Sequence, residues 1–245
     1  MRSEQLYIIT GSSKGIGLGL VNHLIQNPCI RVIGISRTKT AIEHPNFTEI
    51  ACDLSDLNSI PAILDRIFPT GTFSRIVLVN NAGTLGKIEY VGALSPKNIA
   101  EVFSINTIAP AILINAFVSK YASYQQTERV VINISSGAAT KAIDGWAMYS
   151  ASKAAINAMS QTAKKEAELK GTGIRVFALA PGVVDTDMQA TIRKSEEESF
   201  SQLKRFREMK AGNLLSNPAS VAEKIQYLVE HLADFPEVIQ DVRNF

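Results

Sequence analysis

The sequence predicts an α/β protein, a single doubly wound parallel sheet with helices on both faces. Short apolar, β-branched runs alternate with longer amphipathic stretches along the whole chain, the rhythm of strands joined by crossover helices. The runs are continuously apolar, as strands buried on both faces require. No linker, repeat or low-complexity tract divides the 245 residues, a length that α/β chains reach undivided. One domain, 1–245, is expected.

The expected strands are 6–9, 31–35, 47–52, 75–80, 129–135 and 174–180, with a weak one near 237–241. Between them, amphipathic stretches place helices at 15–26, 57–68, 96–121, 147–170 and 218–233. The 96–121 stretch reads as one helix or two, because Asn106 interrupts it and Pro110 follows. The polar segment 185–213 carries Ile192, Phe200, Leu203 and Phe206 between its charges, which suggests one or two amphipathic helices. It is either a solvated surface or a mobile lid beyond a strand's carboxyl end.

With 46% hydrophobic and 20% charged residues and a net charge of +2, the composition is that of an ordinary globular protein. It gives no sign of a nucleic-acid surface or a polybasic membrane anchor. Cys29 and Cys52 lack metal-like spacing, and His23, His44 and His231 are scattered, so no metal site is expected. The start, Met-Arg-Ser-Glu-Gln before Leu6–Ile9, is too short on apolar residues for a signal peptide. No uninterrupted apolar run approaches the roughly 18 residues of a membrane span. A cytoplasmic protein without membrane or nucleic-acid partners is expected.

The first strand runs into Thr10-Gly11-Ser12-Ser13-Lys14-Gly15-Ile16-Gly17 and then a helix. Backbone N–H groups at such a helix start, with its dipole, favour phosphate. Gly11 allows the sharp turn, Gly15 a close backbone approach, and Gly17 packing of helix on sheet. After the second strand stand Ser36, Arg37 and Thr38 with no acid. An acid there suits the ribose hydroxyl of NAD, and an arginine suits the 2′-phosphate of NADP. Arg37 with Lys14 therefore points to NADP(H). Asp53, before Leu54, reads as an acceptor for the adenine amino group or as the cap of a helix starting near Ser55. Asn80-Asn81-Ala82-Gly83 ends the fourth strand, as a close approach to the adenosine ribose or as a plain turn.

Tyr149 and Lys153 stand four residues apart, on one face of a helix. A cation beside a phenol lowers its pKa, making Tyr149 a proton donor and acceptor near neutrality. Taken singly, each has a plainer reading: Tyr149 as an interfacial aromatic, Lys153 as a solvated helix residue, Asn106 as a helix break, Ser136 as a turn residue.

Together these motifs make the chain resemble the short-chain dehydrogenase/reductase family over nearly its whole length. The match rests on Thr10–Gly17, Asp53-Leu54, Asn80–Gly83, Asn106, Ser135-Ser136, Tyr149 to Lys153, and Pro181-Gly182 with Thr186. The resemblance implies a Rossmann-type sheet of strand order 3-2-1-4-5-6-7 and a catalytic tetrad of Asn106, Ser136, Tyr149 and Lys153. Ser136 is preferred to Ser135 because it precedes Tyr149 by thirteen residues. In the implied mechanism Ser136 donates to a substrate carbonyl, Tyr149 supplies the proton, and Lys153 holds the nicotinamide ribose. Asn106 positions a water linking Lys153 to solvent. Further cofactor contacts are implied for Ser13, Ile16, Leu54, Ala82, Gly83, Pro181, Gly182, Val184 and Thr186.

Within the family the chain is most similar to the sepiapterin reductase and benzil reductase branch, through 131–139, Gly145-Trp146 and 180–186. That branch implies NADPH and a ketone or aromatic 1,2-diketone substrate. Ser136, Ala138, Trp146, Val183 and Met188 are the expected substrate pocket, with Trp146 as an aromatic wall or as core. A homodimer through the helices of 106–121 and 149–170 is implied, and a tetramer is possible on the same pattern. The rival readings are a 3-oxoacyl thioester reductase of the same family and a catalytically silent NADP-sensing regulator.

Overall fold

The computed structural model describes residues 4–245; residues 1–3, the start of the expected domain and of the N-terminus read above, lie outside the described residues. Seven parallel strands form one sheet in the order β3-β2-β1-β4-β5-β6-β7. They are β1 (Gln5–Thr10), β2 (Ile30–Ser36), β3 (Phe47–Ala51), β4 (Arg75–Asn80), β5 (Glu128–Ile134), β6 (Arg175–Ala180) and β7 (Ile239–Asp241). Eight α-helices are assigned: α1 (Gly15–Leu24), α2 (Leu64–Ile67), α3 (Pro96–Phe103), α4 (Ala109–Tyr121), α5 (Ala147–Leu169), α6 (Asp187–Arg193), α7 (Leu203–Ala211) and α8 (Pro218–Glu230).

Side chains alternate across the pleat, and this splits the apolar strands between two cores. Tyr7, Ile9, Val32, Val77 and Ile132 point to the side covered by α1 and α8. Leu6, Ile8, Ile33, Ile76, Leu78 and Val131 point to the side covered by α4, with Leu113, Phe117 and Tyr121. Register is uniform, Tyr7 pairing with Val32 on one side and Val77 on the other. The C-terminal ends of β1, β2, β4, β5 and β6 therefore share one edge, where the functional loops emerge. A slip of one residue would exchange the two cores.

One expectation needs correction and two are sharpened. The helix expected at 57–68 shrinks to a 3-10 turn, Pro61–Ile63, and the single turn α2. Asp56 accepts from the backbone N–H of Asn58 at 3.2 Å and Ser59 Oγ donates to the Asp56 carbonyl at 2.8 Å. Such local bonds compete with helix, and Pro61 can only start one. The stretch 96–121 is α3 and α4 joined by a π turn, Ser104–Ile108. It is also long and apolar enough to span a bilayer, which Asn106, Thr107 and Asn115 hid from a search for an unbroken run. In the fold its Val102, Ala109, Leu113, Ile114 and Phe117 are buried. The weak last strand narrows to three residues, Ile239–Asp241.

Candidate active site

A cleft of about 610 Å³ runs along the C-terminal edge of the sheet, from the turn after β1 to Tyr149 and Lys153 on α5. Two loops form its floor. Thr10 Oγ1 accepts from the backbone N–H groups of Asn81 and Ala82, both at 3.0 Å. Asn81 Nδ2 returns bonds to the carbonyls of Thr10 at 2.9 Å and Gly11 at 3.2 Å. The turn after β1 is thus strapped to the turn after β4. Gly17 serves this strap rather than packing on the sheet, because a Cβ there would come within 2.2 Å of the Gly11 carbonyl oxygen.

Of the residues expected to hold a cofactor, Gly11, Ser13, Lys14, Gly15, Ile16, Arg37, Asp53, Leu54, Ala82, Gly83, Pro181 and Thr186 line this cleft, with Tyr149 and Lys153. Four stand elsewhere. Gly17 lies behind the turn. Asn80 points into the sheet, donating to Asn133 Oδ1 at 2.8 Å, and Asn133 donates to Ser160 on α5 at 2.9 Å. Gly182 packs near Val242 and Arg243. Val184 is buried in the core and bridges to Ser216.

The charges at the two flanks differ. Beyond β2 the cleft presents Arg37 and also Lys39, while the acid of that loop, Glu43, is exposed and stands outside the cleft lining. Lys14 is drawn to the β6 side, where Asp187 lies 3.4 Å away. Both partners are well exposed (68% and 76%), so the pair is screened and adds little stability. Asp53 Oδ1 accepts from Ser55 N at 2.9 Å and Ser55 Oγ at 2.8 Å. The helix that Asp53 was expected to cap is absent, and these bonds close a turn instead. The Ser55 backbone N–H is the main cause holding this carboxyl below its ordinary pKa, with Arg37 contributing.

At the far end the chemistry-bearing groups converge. Ser136 ends an extended segment after β5, and its Oγ accepts from Ala138 N at 3.1 Å. Its neighbour Ser135 donates instead to Asn157 at 2.6 Å. Lys153, 4% exposed, donates from Nζ to the Ile134 carbonyl at 2.8 Å. Its ammonium stands 5.9 Å from the Tyr149 ring centroid. Burial brings the Lys153 pKa down to about 8.

The expected lowering of the Tyr149 pKa by Lys153 does not occur in this geometry. Burial dominates and raises the phenol above its ordinary value, and the Ser136 hydrogen bond pulls the other way. Desolvation penalises the phenolate more than one hydroxyl donor repays. Tyr149 is therefore a neutral phenol at physiological pH, suited to giving a proton.

Asn106 sits on the π turn, a distortion that often marks functional positions. Its Oδ1 accepts from Thr84 N at 2.8 Å, and its Nδ2 donates to the Thr84 carbonyl at 2.8 Å and to Ser152 Oγ at 3.0 Å. Protein partners thus take all but one lone pair of this amide. Ser152 Oγ in turn donates to the Tyr149 carbonyl at 2.7 Å. Asn106 ties the loop after β4 to the turn of α5 that carries Tyr149. Beside it, Asn106 Oδ1 and Lys153 Nζ each lie 3.4 Å from where a Cβ of Gly83 would be. Gly83 thus leaves a gap that both groups face.

The expected substrate residues divide. Met188 lines the cleft. Ala138 and Trp146 are buried in an aromatic cluster that adjoins Tyr149, with Val183 and Met188 packed against it. The sequence reading missed the rest of that cluster, Phe200 and Phe206, which come from the polar 185–213 segment. That segment folds as α6, a 3-10 turn (Glu197–Ser199) and α7. Its apolar residues Ile192, Phe200, Leu203 and Phe206 were the available signal, and all four are buried here. Trp146 stacks on Phe200 (centroids 5.3 Å, planes 10° apart) and meets Tyr149 edge-on at 5.7 Å.

Comparison with known proteins agrees with this geometry. The sequence model of the short chain dehydrogenase family matches residues 5–197. A benzil reductase ((S)-benzoin forming) of Bacillus subtilis is 33% identical, over 98% of this chain and 99% of its own. A sepiapterin reductase of Xenopus laevis is 29% identical, over 75% of this chain and 74% of its own. Among solved structures, a short-chain dehydrogenase/reductase from Saccharomyces cerevisiae superposes with a TM-score of 0.82 at 24% identity, covering 97% of this chain and 96% of that one.

Proposed function

The chain belongs to the short-chain dehydrogenase family, oxidoreductases of CH–OH and C=O groups, and on that premise we propose that it is an NADPH-dependent reductase of ketones and aromatic 1,2-diketones with Tyr149 as proton donor. The observation that carries this reading is a buried, neutral Tyr149 beside Ser136, with the Lys153 ammonium 5.9 Å from its ring, at the end of a cleft whose other end is cationic.

The cleft fits a dinucleotide. The turn after β1 leads directly into α1 and turns backbone N–H groups and a helix start toward the cleft, which suits phosphates. Arg37 and Lys39 would hold a 2′-phosphate, Asp53 would stand beside the adenosine, and Lys153 would reach the nicotinamide ribose. NADPH, when bound, supplies the hydride. The protein supplies position and a proton. Ser136 donates to the substrate carbonyl oxygen and fixes its orientation. As that oxygen gains negative charge, Tyr149 transfers its phenolic proton to it. A water in the gap over Gly83, which the Lys153 ammonium also faces, would return a proton to the phenolate left behind.

Two predictions follow from the charges. Arg37→Ala should lower the NADPH-over-NADH preference in kcat/KM by about tenfold, the effect of losing a forked guanidinium–phosphate contact. Unchanged NADPH binding in that variant would remove Arg37 from the site. The pH dependence has a definite sign as well. Lys153 is cationic below about 8 and neutral above, so kcat/KM for reduction should be level at lower pH and decline as pH rises through that value. A rate that keeps rising past pH 9 would contradict the role given to the ammonium.

The substrate class is tested by kcat/KM with NADPH for benzil, smaller 1,2-diketones, sepiapterin and an acetoacetyl thioester. Flat aromatic diketones are expected to lead, because Trp146, backed by Phe200, packs edge-on against Tyr149 at the end of the cleft. A thioester leading the series would keep the chemistry and replace the substrate. Exposed Ile108 (41%) and Leu169 (74%), at the π turn and the end of α5, support a homodimer contact there. Unpaired Cys29 and Cys52 support a reducing, cytoplasmic setting.

A further inference from the structure

The aromatic cluster beside Tyr149 is completed from the far side by Phe200, yet no covalent link or strand pairing holds Phe200 there. Trp146 Nε1 is buried and has no hydrogen-bond partner among the described residues, so the indole is not pinned by its own N–H. Carboxylates from two loops grip the turn on either side of Phe200 instead. Asp144 accepts from Ser201 N at 2.7 Å and Ser201 Oγ at 2.9 Å, and also from Tyr90 Oη at 3.1 Å. Glu89 accepts from Ser199 Oγ at 2.9 Å. The loops themselves are joined, Glu89 N donating to the Gly145 carbonyl at 3.1 Å.

Close approach reinforces the grip. Gly145 has φ +72°, and a Cβ there would lie 2.4 Å from the Ser199 carbonyl oxygen. We propose that Asp144 and Glu89 form a clasp that holds the 199–201 turn down and so presses the buried Phe200 against Trp146, fixing the wall behind Tyr149 at the end of the cleft. Asp144 is the principal positioning residue, because its two oxygens take three of these bonds. Partial burial pushes its carboxyl up, but the Ser201 and Tyr90 donors outweigh this and hold it below its ordinary pKa. It is thus an ionised acceptor throughout the neutral range. The clasp fixes the reach of the site, which matters most for a substrate large enough to touch the wall. The proposal rests on the substrate site inferred above.

The test uses the full-length protein, with Asp144→Ala on one side of the clasp and Ser201→Ala on the other. Trp146 is the only tryptophan in the chain, so its emission reports the packing of the wall directly. In Asp144→Ala the emission should shift to the red, and tryptic cleavage within 193–205 should accelerate about tenfold through local opening. NADPH affinity should hold within about twofold, while KM for benzil rises about fivefold at nearly constant kcat and KM for diacetyl hardly changes. Ser201→Ala should show the same pattern, smaller. Parental emission and cleavage in both variants would overturn the clasp. So would an equal rise in KM for benzil and diacetyl. Absence of benzil turnover in the unaltered enzyme would count against the substrate class instead, and emission and cleavage would still judge the clasp.

Discussion

Replacing Tyr149 with Phe is expected to lower kcat for carbonyl reduction by about a hundredfold or more, while NADPH binding stays within about twofold. The change removes one oxygen and leaves the ring where it packs, edge-on to Trp146. The phenol stands beside Ser136 and carries a transferable proton that burial keeps in place. Losing that proton source removes stabilisation made only as the substrate oxygen becomes charged, so kcat and kcat/KM should fall together. Stability should change by only about 1 kcal/mol, the scale of one hydrogen bond. Retention of more than about a tenth of kcat would refute the proton-donor role.

Lys153→Met should abolish activity and make the protein more stable. Lys153 is 4% exposed and, among the described residues, has one backbone acceptor and no carboxylate partner. Bringing an ammonium from its ordinary value down to about 8 corresponds to roughly 3 kcal/mol of unfavourable burial. Methionine keeps the length and removes the charge, although it leaves the Ile134 carbonyl without its donor. A net gain of about 1–2 kcal/mol is expected. The sign with pH follows from linkage. Between about 8 and the ordinary lysine value the unfolded chain binds more protons than the folded one, so the parent becomes more stable as pH rises. The advantage of the variant is therefore full below pH 8 and fades above it. Chemical denaturation at pH 7 and pH 10 checks this. A variant less stable than the parent at both would mean that the ammonium is better accommodated than its burial suggests.

The sheet was readable in the sequence because its inner strands carry apolar runs that burial on both faces demands, while the edge strands β3 (Phe-Thr-Glu-Ile-Ala) and β7 (Ile-Gln-Asp) carry the pattern only in part. The Gly-rich turn and the Tyr149–Lys153 pair were readable because their geometry depends on residues a few positions apart. What stayed hidden depends on distant partners. Nothing local to Asn106 says that Thr84 and Ser152 will take all but one lone pair of its amide. Nothing near Tyr149 in the sequence says that burial will dominate its pKa, with Ser136 pulling the other way. Helix 57–68 failed for the opposite reason, since the turn-forming side chains of Asp56 and Ser59 were in plain view and amphipathic spacing was given more weight. Phe200 and Phe206 were seen as apolar residues in a charged segment, but the surface they cover, Trp146, comes from a loop more than fifty residues earlier.

The most direct test of the account is steady-state oxidation of NADPH and of NADH, followed by near-ultraviolet absorbance, with benzil as the carbonyl. Turnover with NADPH, a preference over NADH of about tenfold or more, and benzoin as product are expected. NADPH that binds tightly but is never consumed, with benzil or any other carbonyl, would contradict this and mark the protein as a nucleotide sensor.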